Sequence, residues 1–513
     1  MAALEQAFAL VLQWQVIVTV ASAALFGLMV GAIPGLTATM AMALLVPLTF
    51  FMDPIPAVGA MVACAAMAIF AGDIPGTLLR MPGTPASAAY ANEAYAMTRN
   101  GQAELALSAN LLYSALGGLF GTAVLILAAP TLAELALNFS SPEYFWMALL
   151  GLTCAVFMGA ASPLKGLVSL FIGLFVATVG LDNPAAVPRF TFGSTELLAG
   201  IDFIPAMIGL FAVSEILKTV AAGAPRWDVV QARMGNIFSN WWGLITRYWP
   251  QQLRGNVLGT TVGALPGAGA DIAAWIAYAT SQRLSRTPEK FGKGHVEGIV
   301  ESTSANNASL GSAWIPALVF GIPGDTITAI VIGVLYIKGL NPGPTLFLFN
   351  PESIYAVFLI FILANLVLIP FGWVAIKLAK NLLRAPRNIL MPVILAFCVV
   401  GAFASNNAAY GIIVMLVFGV LGFMMEENGI PIAPCILGIV IGPLLEDTFI
   451  TTMIKSQGSF LAFFDRPIAA GLGIAVILIW LSSLYGWWRR SRPREPIPAG
   501  QGHEAGGGRG ETQ

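Results

Sequence analysis

GAIPGLTATMA at residues 31–41 and GALPGAGADIA at residues 263–273 are one phrase written twice, 232 positions apart. A second phrase follows each copy: IPGTLLRMPGTPASAA at residues 74–89 and IPALVFGIPGDTITAI at residues 315–330, an offset of 241. Two matches in the same order at similar offsets mark an internal duplication. All four centre on a break. Proline removes a backbone donor and clashes with the preceding turn, and glycine tolerates the angles needed to restart a helix.

The solvent around these breaks follows from composition. The 513 residues are 57% hydrophobic and only 10% charged, with mean hydropathy +0.81, whereas a soluble domain carries roughly 25% charge. A bilayer span needs about 20 mainly apolar residues, and residues 103–129, 144–162, 351–378, 388–424 and 467–488 supply such runs. The 54 glycines and 32 prolines would make a loop-rich chain in water, but in a membrane they mark broken helices whose neighbours re-satisfy the freed backbone. The expected fold is therefore an all-α polytopic membrane protein with about 10–12 transmembrane or re-entrant segments. Its expected parts are a first repeat over residues 12–222, a cytoplasmic connector over 223–245, a second repeat over 246–460, a C-terminal helix over 467–488 and a disordered cytoplasmic tail over 489–513. Residues 15–33 read as a retained first span, because the N-terminus lacks the basic stretch and cleavage site of a secretory signal.

Charge placement orients the halves. The connector region carries Lys218, Arg226, Arg233, Arg247 and Arg254 against Asp228, and Arg489, Arg490, Arg492 and Arg494 follow the last span. Lys377, Lys380, Arg384 and Arg387 mark a further loop. By the positive-inside rule these face the cytoplasm. Between the two phrases of the second half lie Arg283, Arg286, Lys290 and Lys293, whereas the equivalent residues 47–56 hold one acid, Asp53. The same loop thus faces opposite sides, the signature of two inverted-topology repeats. Residues 255–281 are apolar, are broken at GALPGAG and are flanked by Arg254 and Arg283. They read as a re-entrant helical hairpin, with a single kinked span as the alternative.

A helix restarting after each break presents unpaired N–H groups and the positive end of its dipole, which suits a carboxylate. Thr37, Thr39, Thr84, Ser87, Asp271, Thr326 and Thr328 follow the breaks and read either as ligand contacts or as simple caps. Charges inside the membrane cost at least ~2.5–3.5 kcal/mol on insertion scales, which singles out Asp73, Arg80, Asp271, Glu297, Glu301 and Asp325. Asp271 aligns with Thr39 and Asp325 with Thr84, giving acids to the second half where the first has hydroxyls. A natural division assigns cation coupling to Asp271 and Asp325, and the anion to the helix ends, the first-half hydroxyls and Arg80. Asp73 and Arg80 lie about 10 Å apart in a helix, too far to pair unless the break bends, which leaves Arg80 free for a substrate carboxylate. The polar run ESTSANNASLGSAW at residues 301–314, with Asn306, Asn307 and Ser309, reads as cavity lining or as helix–helix hydrogen bonding.

Enzymatic signals are weak. The two histidines, His295 and His503, form no His-Glu-x-x-His pattern, and no Walker or nucleophile-elbow motif occurs. Cys64, Cys154, Cys398 and Cys435 sit in apolar runs without Cys-x-x-Cys spacing and read as core residues. The net charge of −1, with no basic patch interleaved with aromatics, argues against nucleic acid. No cofactor is expected, and no metal beyond a coupling Na⁺, with H⁺ as the alternative ion. A secondary carrier is the leading reading; an organic-anion channel and an intramembrane enzyme are the alternatives.

The chain also resembles a known family. GALPGAGADIAAWIAY at 263–278, NNASLGSAWIPALVFGIPGD at 306–325, GLNPGP at 339–344, VGLDNPAAVPRFTFG at 179–193 and IGLFAVSEIL at 208–217 look like the large membrane subunit of the tripartite tricarboxylate transporter family, across the chain to about residue 465. The resemblance implies a multi-pass permease of the bacterial inner membrane with a cytoplasmic C-terminus. It also implies a small membrane subunit and a periplasmic substrate-binding protein as partners, importing a carboxylate with Na⁺ or H⁺. The family's glycine-rich signatures fall on Pro34 and Gly35, Pro82 and Gly83, Pro266, Gly267 and Gly269, Asn306 and Asn307, and Pro323 and Gly324. AGDIPGTLLRMPG at 71–83 departs from the family pattern through Asp73, Pro75, Gly76 and Arg80.

Overall fold

The computed structural model describes residues 2–33, 36–158, 163–181, 187–222, 235–267, 269–382 and 387–491. These are helices joined by short connections, with one isolated bridge between Gly180 and Arg189. The chain opens with α1 (Ala2–Val11), α2 (Trp14–Gly31), α3 (Ala38–Thr49), α4 (Pro54–Ala71), α5 (Asp73–Leu79), α6 (Ala91–Arg99) and α7 (Ala103–Ala136). It continues through α8 (Ser141–Met158), α9 (Pro163–Ala177), α10 (Phe203–Ile208) and α11 (Ser214–Ala222), the last two joined by a π-helical turn at Gly209–Val213. Next come α12 (Trp241–Gly263), α13 (Gly269–Leu284), α14 (Val296–Phe320), α15 (Thr326–Ile337), α16 (Pro344–Phe349) and α17 (Pro351–Leu382). The chain closes with α18 (Arg387–Asn406), α19 (Ala409–Glu427), α20 (Ile432–Lys455) and α21 (Pro467–Ser491). Among the described residues, 7 helical stretches are long and apolar enough to cross a membrane, and 5 shorter apolar helices accompany them, in keeping with the expected polytopic fold.

Small residues set the helix directions. Side chains facing a neighbour at every fourth position let backbones touch, and in lipid such packing drives association. Gly27 lies against Cys64 and Gly31 against Ala68, so α2 and α4 run parallel. The chain must turn back between them, and α3 makes that return. In the second half Gly255, Gly259 and Gly263 lie against Glu301, Ala305 and Ser309, so α12 and α14 also run parallel and α13 returns. α2 with α3, and α12 with α13, therefore form helical hairpins, and the kinked single span over residues 255–281 is not what forms.

Other contacts relate the two hairpins. Gly59 meets Ile360 and Phe70 meets Gly372, so α4 and α17 are parallel; Gly117 meets Ser304 and Gly121 meets Ala308, so α7 and α14 are parallel. Gly118 meets Asn365 and Leu111 meets Gly372, which sets α7 antiparallel to α17 and hence α4 antiparallel to α14. α4 is buried on every side, as its run of alanine, glycine and methionine requires, and so is α14 despite its polar residues. The α14 polar groups are partly absorbed by α7: Thr303 donates to Asn110 at 3.1 Å, and Asn307 Nδ2 to Ser114 at 3.0 Å.

Several expected boundaries move. The apolar run 388–424 is two helices, because Asn407 adopts a left-handed φ of 50° between α18 and α19. The last residues of the expected 223–245 connector belong to α12, which starts at Trp241. α21 continues to Ser491, past the expected end at 488. Residues 223–234, with Arg226 and Arg233, the tail 492–513, and Pro34 and Gly35 lie outside the described residues.

Candidate functional site

The second pair of breaks repeats residue for residue. Arg80 and Gly321 end their helices in left-handed backbone, at φ 60° and 68°, and each donates its N–H to a proline carbonyl, of Pro75 and Pro316. The next N–H groups, of Met81 and Ile322, reach the same two carbonyls at 3.2 Å. Three residues on, Gly83 rests on Gly72 and Gly324 on Ala313, where an added Cβ would stand 2.5 and 2.7 Å from backbone atoms. A cap then follows in each copy. Thr84 and Ser87 exchange side-chain to backbone hydrogen bonds at 3.0 Å in both directions, as Asp325 and Thr328 do at 2.8 Å. In the first copy only a short 3₁₀ turn, Ser87–Ala89, precedes α6; in the second α15 starts at once.

The residues that follow the four breaks meet at one place. Thr39 Oγ1 at the start of α3 lies 3.2 Å from Thr326 Oγ1 at the start of α15. Asp271 in the first turn of α13 accepts the Ala86 N–H at 3.0 Å, and the Trp275 indole donates to the Pro85 carbonyl at 3.2 Å. Gly269, at φ 61°, lets α13 begin against Asp325, where a Cβ would stand 2.7 Å from the Asp325 Cβ. Between these ends is a cavity of about 430 Å³, within the range of roughly 300–1,000 Å³ common for small-molecule sites. Thr37, Thr39, Thr84, Ala86, Asp271, Asn306, Asp325 and Thr326 line it.

The helices opening here are half-length. α3 and α15 have 12 residues each, about 18 Å at 1.5 Å per residue, against about 15 Å for half of a hydrocarbon core. Their far ends also meet, since Lys338 after α15 donates to the Phe50 and Met52 carbonyls after α3 at 3.1 and 2.6 Å. On the other side, Glu93 of α6 accepts from the backbone of Gly292, Gly294 and His295, beyond α13, and from Tyr278. The cavity thus lies between two latched ends, with about 18 Å of helix separating it from the Lys338 latch.

Other expected residues are placed differently. Arg80 does not reach the cavity: its left-handed backbone turns the side chain outward, where it is exposed and donates to Asn92 at 3.0 Å. It does not pair with Asp73 either, whose Oδ1 accepts from Tyr90 at 2.7 Å. Glu301 is taken by Arg254 at 2.6 and 2.5 Å, and Glu297 by Gln251 and Ser285. Of the polar run, Asn306 lines the cavity, Asn307 donates to Ser114 of α7, and Ser309 donates to the Asn306 carbonyl of its own helix at 2.7 Å. Ser87 is in the Thr84 cap, and Gly83, Gly267 and Gly324 pack against backbone behind the site.

The sequence reading missed part of the wall. Phe211, Ser214 and Glu215 come from the π turn and α11, and Glu426 from the end of α19. Lys218 stands behind these acids, 3.8 Å from Glu215 and 3.6 Å from Glu426. No basic side chain is among the described lining residues. An acid within an apolar run, as Glu215 is in IGLFAVSEIL, was the available signal.

Residues 17–437 match the Tripartite tricarboxylate transporter TctA family. The chain belongs to the tripartite tricarboxylate transporter family. It is 35% identical over 460 residues to an uncharacterized 52.8 kDa protein from the TAR-I ttuC' 3' region of Agrobacterium vitis, covering 89% of this chain and 91% of that one. A protein from the TAR-II ttuC' 3' region of the same organism is 34% identical over 226 residues, 44% of this chain and 93% of its own length. No solved structure matches the chain. As a member of a tricarboxylate transporter family with membrane-spanning helices, this is a multi-pass membrane protein of the permease kind.

Proposed function

We propose that the chain imports a tricarboxylate or related organic acid through this cavity by cation-coupled alternating access. In this reading it is the large subunit of a tripartite carrier in the bacterial inner membrane, working with a small membrane subunit and a periplasmic binding protein. The observation that carries the proposal is the convergence on one cavity of the residues that follow both copies of both breaks, at the starts of α3, α13 and α15. The antiparallel courses of α4 and α14 support an inverted repeat, and the basic residues 283–293 support a cytoplasmic face at the Glu93 latch.

The electrostatics of the wall favour a coupled cation. A sphere of 430 Å³ has a radius of about 5 Å, so a central carboxylate lies about 6 Å from Asp271 or Asp325; at an effective dielectric of about 20 each repulsion is about 3 kcal/mol. Each helix N-terminus returns typically 0.3–1 kcal/mol, up to ~2 in buried geometry. Two ionised aspartates, about 6 kcal/mol together, therefore outweigh three helix ends at their typical ~1–3 kcal/mol. A cation at Asp271 and Asp325 reverses that balance, so each ion strengthens the binding of the other, which is the coupling that symport needs.

Reconstitution tests this reading. The chain, its small membrane subunit and its binding protein in liposomes are expected to accumulate labelled citrate under an inward Na⁺ or H⁺ gradient, to saturate and to show counterflow. Uptake indifferent to both gradients, or absence of uptake, would refute it.

A further inference from the structure

Asp73 is the acid that the cavity does not use. It is 2% exposed, at the start of α5. Its Oδ1 accepts from the Tyr90 hydroxyl at 2.7 Å, and Asn306 Nδ2 reaches the same hydroxyl at 3.3 Å. Among the described residues the Asp73 Oδ2 atom and the Asn306 Oδ1 atom, both buried, have no hydrogen-bond partner. Asn306 is itself 1% exposed and lines the cavity. A second link runs through the backbone, because Gly72, beside Asp73, packs on Gly83 and on the Thr84 methyl behind the cavity wall.

Two acceptor oxygens without donors, joined through one hydroxyl and with no basic side chain bonded to them, are a poor resting place for a negative charge. The duplicated copy avoids the problem: the position aligned with Asp73 is Trp314. The other titratable groups on the packed elements are engaged elsewhere. Glu93 is held by the 292–295 backbone, Glu104 by the Gly235 N–H, Tyr113 by the Leu244 carbonyl, and Glu297 and Glu301 by Gln251 and Arg254. Cys64, Tyr95 and Arg99 form no bond to Asp73 among the described residues.

We propose that Asp73 carries a proton through the transport cycle, and that Tyr90 and Asn306 connect its charge state to the central cavity. A proton neutralises the carboxylate with no further ligand. A hard metal ion takes about six oxygens, whereas Asp73 and Asn306 supply one unpartnered oxygen each. Asn306 Nδ2 donates to the Tyr90 oxygen and so polarises the hydroxyl that Tyr90 donates to Asp73. When substrate occupies the cavity and engages the Asn306 amide, Tyr90 becomes a weaker donor and the ionised form of Asp73 is less stabilised, so the proton stays while the cavity is loaded and leaves once substrate has gone.

The inference rests on the transport reading, and its test separates the two. Infrared difference spectra of the full-length protein in liposomes, taken between acid and alkaline pH, read the carbonyl band of a protonated carboxylic acid without any substrate. The band is expected in the wild type, absent in Asp73→Asn and shifted in Tyr90→Phe. An unchanged band in Asp73→Asn overturns the proposal, as does its loss in the wild type on adding Na⁺ at fixed pH. In reconstituted complex, Asp73→Asn is expected to keep citrate counterflow while losing accumulation driven by a pH gradient. If that variant still accumulates citrate with the gradient, the proton role fails and the transport reading stands; if the wild type takes up no citrate, it is the transport reading that fails.

Discussion

Replacing Asp271 with asparagine isolates the charge term on which coupling depends. The substitution keeps an oxygen to accept the Ala86 N–H, now 3.0 Å away, and keeps side-chain volume, so the hairpin tip is expected to hold its shape. It removes one carboxylate about 6 Å from a bound anion, about 3 kcal/mol of repulsion at an effective dielectric of about 20. Citrate affinity measured without the coupling cation should therefore rise by about 100-fold. With saturating cation the wild type has already neutralised that charge, and the variant should gain nothing. The cation-dependent enhancement of citrate binding, followed by calorimetry on purified protein over a series of Na⁺ concentrations and pH values, should thus shrink by about two decades. An Asp271→Asn variant with the full wild-type enhancement would refute the assignment of a coupling charge to this wall.

Three further outcomes are expected. Asp325→Asn should fold as the wild type, because asparagine also caps α15, whereas Asp325→Ala should lose about 0.5–2 kcal/mol in thermal unfolding; equal stabilities would deny the cap. Lys338→Met strips the donors from the Phe50 and Met52 carbonyls and should lower stability by about 1–3 kcal/mol, read as a fall in Tm in detergent, and an unchanged Tm would show the α3–α15 latch to be idle. Gly259→Leu puts a Cβ 2.3 Å from the Ala305 carbonyl oxygen, and should force α12 from α14 and abolish the monodisperse peak in size-exclusion chromatography, which a normal profile would contradict.

Much of the site was legible because its information is local. A proline-glycine break, its offset from a second copy and the charges on its flanks are all read along the chain, and the 241-residue alignment places Arg80 opposite Gly321 and Thr84 opposite Asp325, the positions that share backbone geometry. The flanking pair Arg254 and Arg283 pointed to a hairpin, and the parallel packing of α12 on α14 forms one. What escaped was set by the third dimension. Arg80 is itself the left-handed residue that ends α5, and the direction its side chain takes there is not written in its spacing from Asp73. Glu215 and Glu426 reach the cavity from helices about 130 and 100 residues beyond the nearest break in their own halves, through packing that no single sequence encodes. The recurrence of glycine at 255, 259 and 263, and at 117 and 121, was readable at helical spacing, and would have predicted the close α12–α14 and α7–α14 contacts.

The central claim is that the breaks of both halves close around substrate. A single cysteine at Thr326, which lines the cavity and touches Thr39 across the two halves, tests it in the reconstituted complex on a cysteine-free background. Labelling by a membrane-impermeant maleimide is expected to slow on adding citrate with the coupling cation, and to be unaffected by either alone. Labelling that proceeds at the same rate under all three conditions, in a preparation that still transports citrate, would contradict the account.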